Sequence, residues 1–186
     1  NKMGGDLDKI HIVGEYFIEV WKASGMDLEN VKFVNCSTFV NNPEYWKKMV
    51  QVSRHATIQR MLRCGQIMGR KEAELQYTAQ LLYPAMQVAD IFHLGVDICQ
   101  LGMDQRKVNI LARELGPKLG WWKPVAVHHH MLMGLQQPAA TEQDKTERTI
   151  ALKMSKSNPE SAIFMTDTPA DVERNTSNAY FPAKQV

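Results

Sequence analysis

Apolar residues recur at helical spacing in several stretches of the chain, and short apolar runs bounded by turn residues lie between them. After Asp6, residues Leu7, Ile10, Val13, Phe17, Val20 and Trp21 fall at helical spacing, with Asp6 placed to cap the helix and Gly25 near its end. Residues 31–34, Val-Lys-Phe-Val, predict a short strand. Asn41-Asn42-Pro43-Glu44 opens a helix with Pro in its first turn, predicted to run to about Arg63. Cys64-Gly65 is a break, and a second helical piece covers 66–73. A helix beginning at Tyr83 can end at Gly95, followed by a strand over 96–101 and a tight turn at Gly102-Met103-Asp104-Gln105. The next helix, 104–115, has Val108, Leu111, Ala112 and Leu115 as its inner stripe and Gly116-Pro117 as its stop. Residues 125–130 and 162–165 predict two further strands, and Thr168-Pro169-Ala170-Asp171 opens a last helix with capping-box chemistry. Between them, 136–148 is polar and aperiodic, which predicts an exposed loop. Strands alternating with helices predict an α/β fold with a parallel sheet.

Composition narrows this only a little. A chain of 186 residues fits one domain, or one and a fraction, and 44% hydrophobic residues suffice for a core. A net charge of +2 argues neither for nor against nucleic acid. Three cysteines, Cys36, Cys64 and Cys99, are far apart and odd in number, which suits reduced thiols in the cytoplasm. No apolar run approaches the roughly 20 residues of a membrane span.

Two features carry candidate chemistry. Tyr83, Gln87 and Asp90 stand at i, i+4 and i+7, on one face of an otherwise apolar helix. Buried polar groups need partners, so the stripe either bonds within the protein or converges with the Gly102–Gln105 turn on a small polar ligand. From periodicity alone the internal bonding is the better account. The second feature is Lys153-Met154-Ser155-Lys156-Ser157, two ammonium groups and two hydroxyls after a polar loop, which suit a polyphosphate. For most Lys-x-x-Lys strings a solvated loop is the ordinary explanation. The three consecutive histidines at 128–130 are a weaker lead: in a strand only His128 and His130 share a face, no acidic or thiol partner is near, and one or two buried, bonded rings are expected.

The whole string from Lys153 to Ser157 matches the lysine signature of class I aminoacyl-tRNA synthetases. Around it, Asn1-Lys2-Met3-Gly4-Gly5-Asp6-Leu7, Arg63-Cys64-Gly65-Gln66-Ile67-Met68-Gly69-Arg70, Tyr83-Pro84-Ala85-Met86-Gln87-Val88-Ala89-Asp90-Ile91, Leu101-Gly102-Met103-Asp104-Gln105-Arg106-Lys107 and His129-His130-Met131-Leu132-Met133-Gly134-Leu135 resemble eukaryotic and archaeal tyrosyl-tRNA synthetases. The resemblance implies a partial Rossmann-like nucleotide-binding fold with an inserted helical segment, about 40–80, at a homodimer interface. It implies L-tyrosine, ATP with Mg2+, and tRNA(Tyr) as partners. Tyr83, Gln87 and Gln105 match residues that hold the amino acid's ammonium and neighbouring polar groups. Asp90 matches the acid that accepts a hydrogen bond from the substrate phenol. Gly102 and Asp104 match positions near the ATP ribose, and Met133 one near the adenine. Lys153, Ser155, Lys156 and Ser157 match the loop over the triphosphate. The implied reaction proceeds through tyrosyl-adenylate, by positioning and charge stabilisation, without a covalent nucleophile, a membrane or a protein-bound metal cluster.

The family's His-x-Gly-His signature is not in this chain: His11-Ile12-Val13-Gly14 and His93-Leu94-Gly95 both lack the second histidine. The expectation is therefore a chain covering the later part of a catalytic domain, without the anticodon-binding domain, and inactive by itself. Three alternatives stand beside it: a tryptophanyl-tRNA synthetase, another nucleotidylyltransferase with the same lysine loop, and a non-catalytic synthetase-like binding protein.

Overall fold

The computed structural model describes residues 2–65, 77–137, 152–154 and 158–181. It separates into two compact units, Asn1–Pro43 and Glu44–Val186. The first is built on α1 (Leu7–Ala23). The Asp6 carboxylate accepts from the Lys9 N–H at 3.1 Å, and the left-handed Gly25 (φ +84°) lies just past its end. Residues 31–34 are not a strand: no neighbouring chain among the described residues supplies a ladder for them, and the Phe33 ring instead stacks on Trp21 at 5.7 Å.

In the second unit the helix expected from Pro43 to Arg63 is two helices, α2 (Pro43–His55) and α3 (Ile58–Cys64). The interruption was legible in Thr57, whose hydroxyl accepts from the Arg60 N–H and so caps a new helix. The helical piece expected over 66–73 falls outside the described residues. Helix α4 (Thr78–His93) starts five residues before Tyr83, with Pro84 inside it. The Gln80 side chain accepts from the Tyr77 N–H at 2.9 Å to secure that earlier start, and Pro84 forgoes only its own N–H bond. At its far end Leu94 N–H donates to Asp90 O and Val96 N–H to Ile91 O around a left-handed Gly95 (φ +69°).

Two strands, β1 (Ile98–Gly102) and β2 (Val125–His129), pair in parallel from Ile98 opposite Val125 to Gly102 opposite His129. The crossover between them is α5 (Arg106–Lys118). It does not stop at Gly116-Pro117 but runs on to Lys118, because the Gly116 carbonyl still accepts from Leu119 and Trp121 and the chain turns away only at Gly120 (φ +74°). Residues 162–165 are not a strand: 162–164 are irregular chain leading into a turn at 165–166, closed by Asp167, whose N–H donates to Phe164 O and whose carboxylate accepts from Phe164 N–H. The capping box is present: the Thr168 hydroxyl accepts from Asp171 N–H and the Asp171 carboxylate from Thr168 N–H, opening α6 (Pro169–Ser177).

The core lies where α2, α3, α4 and α5 bury Tyr45, Val52, Cys64, Val88, Phe92, Val108 and Leu111. Fixing α4 and β1 at successive positions along this core sets the end of β1 beside the polar face of α4.

Candidate functional site

The polar stripe of α4 does converge with the turn after β1. The Gln87 amide donates to Gln105 Oε1 at 3.1 Å. The two residues are eighteen apart in sequence, and the αL turn at Gly95 and the short strand β1 bring them together. Tyr83, on the same face, is half exposed. On the other side of the turn the Asp104 carboxylate lies 3.5 Å from the Lys153 ammonium, with Asp104 13% and Lys153 27% exposed. Lys153 also pairs through its backbone with Met133 as an isolated antiparallel bridge, and Gly134 N–H donates to Leu152 O at 2.5 Å. Asp90, Gln87, Gln105, Gly102, Asp104, Met133 and Lys153 therefore belong to one compact unit, with direct bonds joining the helix to the turn and the turn to the lysine segment. Ser155, Lys156 and Ser157 fall outside the described residues.

Two glycines make this proximity possible. A Cβ on Gly102 would lie 2.8 Å from both the Asp104 carboxylate and the Met131 sulfur. A Cβ on Gly134 would lie 3.1 Å from Ser161 O and 3.2 Å from Leu152 O, so a side chain there would make both carbonyls give by a few tenths of an ångström.

Sequence reasoning missed Tyr45. Its hydroxyl donates to Asp90 Oδ1 at 2.9 Å from α2, and its ring stands edge-on to His93 at 5.4 Å. Burial pushes the Asp90 carboxyl above the ordinary carboxylate range, while the Tyr45 hydroxyl and nearby His93 pull it back down. An aromatic residue early in an amphipathic helix carries no local signal that its hydroxyl reaches an acid forty-five residues on.

The histidine run resolves as expected for a bonded ring. Asn109, 1% exposed on α5, lies 3.0 Å through its amide from His128 Nε2, and its oxygen accepts from the Cys99 thiol at 3.5 Å. Burial, with Arg106 and His129 adding to it, lowers the His128 pKa from its ordinary value. Among the described residues no three His, Cys, Asp or Glu side chains are grouped to hold a metal ion.

A family model described as class I tRNA synthetases (W and Y) matches residues 1–185. The chain belongs to that family. It is 51% identical over 189 residues to the cytoplasmic tyrosine–tRNA ligase 1 of Arabidopsis thaliana, covering all of this chain and 46% of the relative. The tyrosyl-tRNA synthetase of Leishmania major, solved with tyrosinol, superposes with a TM-score of 0.86 at 49% identity, over all of this chain and 26% of that one. The chain thus spans less than half the length of either. The tryptophanyl-tRNA synthetase of Aeropyrum pernix shares the fold only, at 24% identity and a TM-score of 0.54 over 73% of this chain and 34% of that one. Within the synthetase family the sequence therefore sides with the tyrosine enzymes, and the partial Rossmann-like α/β class is the one observed.

Proposed function

We propose that the protein containing these residues attaches L-tyrosine to tRNA(Tyr). Tyrosine's carboxylate attacks the α-phosphorus of ATP, pyrophosphate leaves, and tyrosyl-adenylate forms. A ribose hydroxyl at the tRNA terminus then attacks the acyl carbon and AMP leaves. The observation that carries the proposal is the continuity of the site: an acid-bearing polar stripe bonded to the turn through Gln87 and Gln105, and the turn paired to the lysine segment through Asp104 and Lys153.

In this reading Asp90 accepts the substrate's phenol hydrogen bond, and Tyr83, Gln87 and Gln105 surround the ammonium end. Gly102 lets the ATP ribose approach the backbone beside Asp104, and Met133 borders the adenine. Lys153, with Ser155, Lys156 and Ser157, grips the triphosphate as charge builds on the leaving pyrophosphate, where electrostatic stabilisation counts most. Mg2+ enters on the phosphates of ATP as part of the substrate. Phenylalanine would leave a buried acid without its partner. Tyrosyl-tRNA synthetases are the known example of that effect, at about 10⁵-fold.

The protein works as a homodimer in the cytoplasm, with the helical segment of about 40–80 at the interface. Exposed Trp46, Val50 and Ile58 on α2 and α3 support the first point, and the cytoplasmic ligase among the relatives supports the second. Tyrosine-dependent ATP–pyrophosphate exchange by the full-length protein, beside an Asp90→Ala variant, tests the reading. Exchange with tyrosine and not tryptophan, lost or relaxed in the variant, is the expected result; no exchange from the folded protein would overturn it.

A further inference from the structure

We infer that Tyr45 is a positioning residue for amino-acid selection, holding one oxygen of Asp90 so that the other is presented to the substrate's hydroxyl. The inference rests on the proposed role of Asp90 and adds a residue from outside the predicted site.

Tyr45 is 1% exposed, so its hydroxyl has no access to bulk water and must bond within the protein. It has one proton to donate. Two acceptors lie within range, Asp90 Oδ1 at 2.9 Å and the Met86 carbonyl at 3.5 Å, and the shorter distance and the negative charge both favour Asp90. The ring is held edge-on between Trp46 and His93, at 5.7 and 5.4 Å, so the hydroxyl has little freedom to swing away. Asp90 is thereby fixed in one rotamer with Oδ1 engaged. An acid that already accepts one phenol hydroxyl from the protein is arranged to accept a second from a ligand on Oδ2.

The bond also bears on the charge state on which selection depends, by offsetting part of the effect of burial. Among the described residues, the groups facing Asp90 are the Tyr45 hydroxyl from α2 and His93 from its own helix. Burial favours the protonated acid, and a protonated acid could donate to the carbonyl or ring of a wrong substrate rather than demand a hydroxyl. The Tyr45 hydroxyl opposes that protonation.

The test uses the full-length protein with Tyr45→Phe, which removes one oxygen and keeps the ring, beside Asp90→Asn and the double variant. Tyr45→Phe is expected to reduce kcat/KM for tyrosine by about tenfold to a hundredfold, chiefly through KM. Preference for tyrosine over phenylalanine falls with it, and the acid limb of the tyrosine-dependent rate moves to higher pH. In the double variant the loss is no greater than in Asp90→Asn alone, since the hydroxyl acts only through the acid. If Tyr45→Phe does not fold, the cause is an ionised Asp90 without its donor, and folding is expected to return on adding Asp90→Asn; failure of both to fold overturns the inference. A folded Tyr45→Phe with unchanged preference and acid limb also overturns it, with the role of Asp90 intact if Asp90→Asn is relaxed. An Asp90→Asn protein with unchanged preference overturns that role too.

Discussion

The ammonium of Lys153 rests 3.5 Å from the carboxylate of Asp104. Both side chains are more than two-thirds buried, so the pair is screened less than a surface ion pair, and a triphosphate that takes up the ammonium must draw it away from Asp104. Lys153→Met keeps the length of the side chain and removes its charge. It is expected to slow adenylate formation by about 10²–10³ while the KM for tyrosine stays near its original value, since the proposed tyrosine pocket lies at the other end of the site. Pyrophosphate exchange measured against both substrates separates the two effects, and a rise confined to the tyrosine KM would contradict the assignment.

Gly102→Ala places a methyl 2.8 Å from the Asp104 carboxylate and from the Met131 sulfur. Either neighbour must move, at a cost of about 1–3 kcal/mol in stability. Urea denaturation is expected to register that loss, and the KM for ATP is expected to rise if the ribose approaches there as proposed.

Asp90 has a folded-state pKa raised chiefly by burial. The folded state therefore binds its proton more tightly than the unfolded chain does. The resulting stabilisation is full below the unfolded carboxylate pKa of about 3.9 and is lost as pH rises through the folded value. At neutral pH the ionised acid weighs against folding, so Asp90→Asn is expected to raise the Tm at pH 7 while it relaxes selection. Melting curves across pH 4–8 are expected to converge toward the acid end.

For His128 the sign is reversed. Its pKa is lowered in the fold, first by burial, so the neutral ring is favoured there. Its contribution is present above the unfolded value of about 6.5 and is lost as pH falls through the folded value. Asn109→Leu removes the amide beside the ring and is expected to cost about 1–3 kcal/mol in chemical denaturation at pH 8. An unchanged denaturation midpoint would mean that the ring finds another partner.

The local pattern revealed what is local. The stripe of Tyr83, Gln87 and Asp90 follows from helical spacing, and the Thr168–Asp171 box from two residue types three apart. The meeting of Gln87 with Gln105 was legible because only a turn and a short strand separate them. Residues 31–34 and 162–165 have strand composition, but a strand needs a ladder partner, which composition does not specify. The break at Thr57 was overlooked because the apolar spacing continues across it. Tyr45 was overlooked for a different reason: the bond from its hydroxyl reaches from α2 past α3 to α4, and nothing near it in the chain records the destination.

The β1–α5–β2 crossover also bears on how the molecule comes into being. Its parallel pairing joins segments separated only by one helix and its turns, so little loop-closure entropy opposes its early formation. The bonds from Tyr45 to Asp90 and from Lys153 to Asp104 each close a somewhat longer stretch of chain. Tyr45 and Asp90 both precede β2 in the chain, so a polypeptide emerging from the ribosome has both partners of that bond in hand before the parallel pair can close.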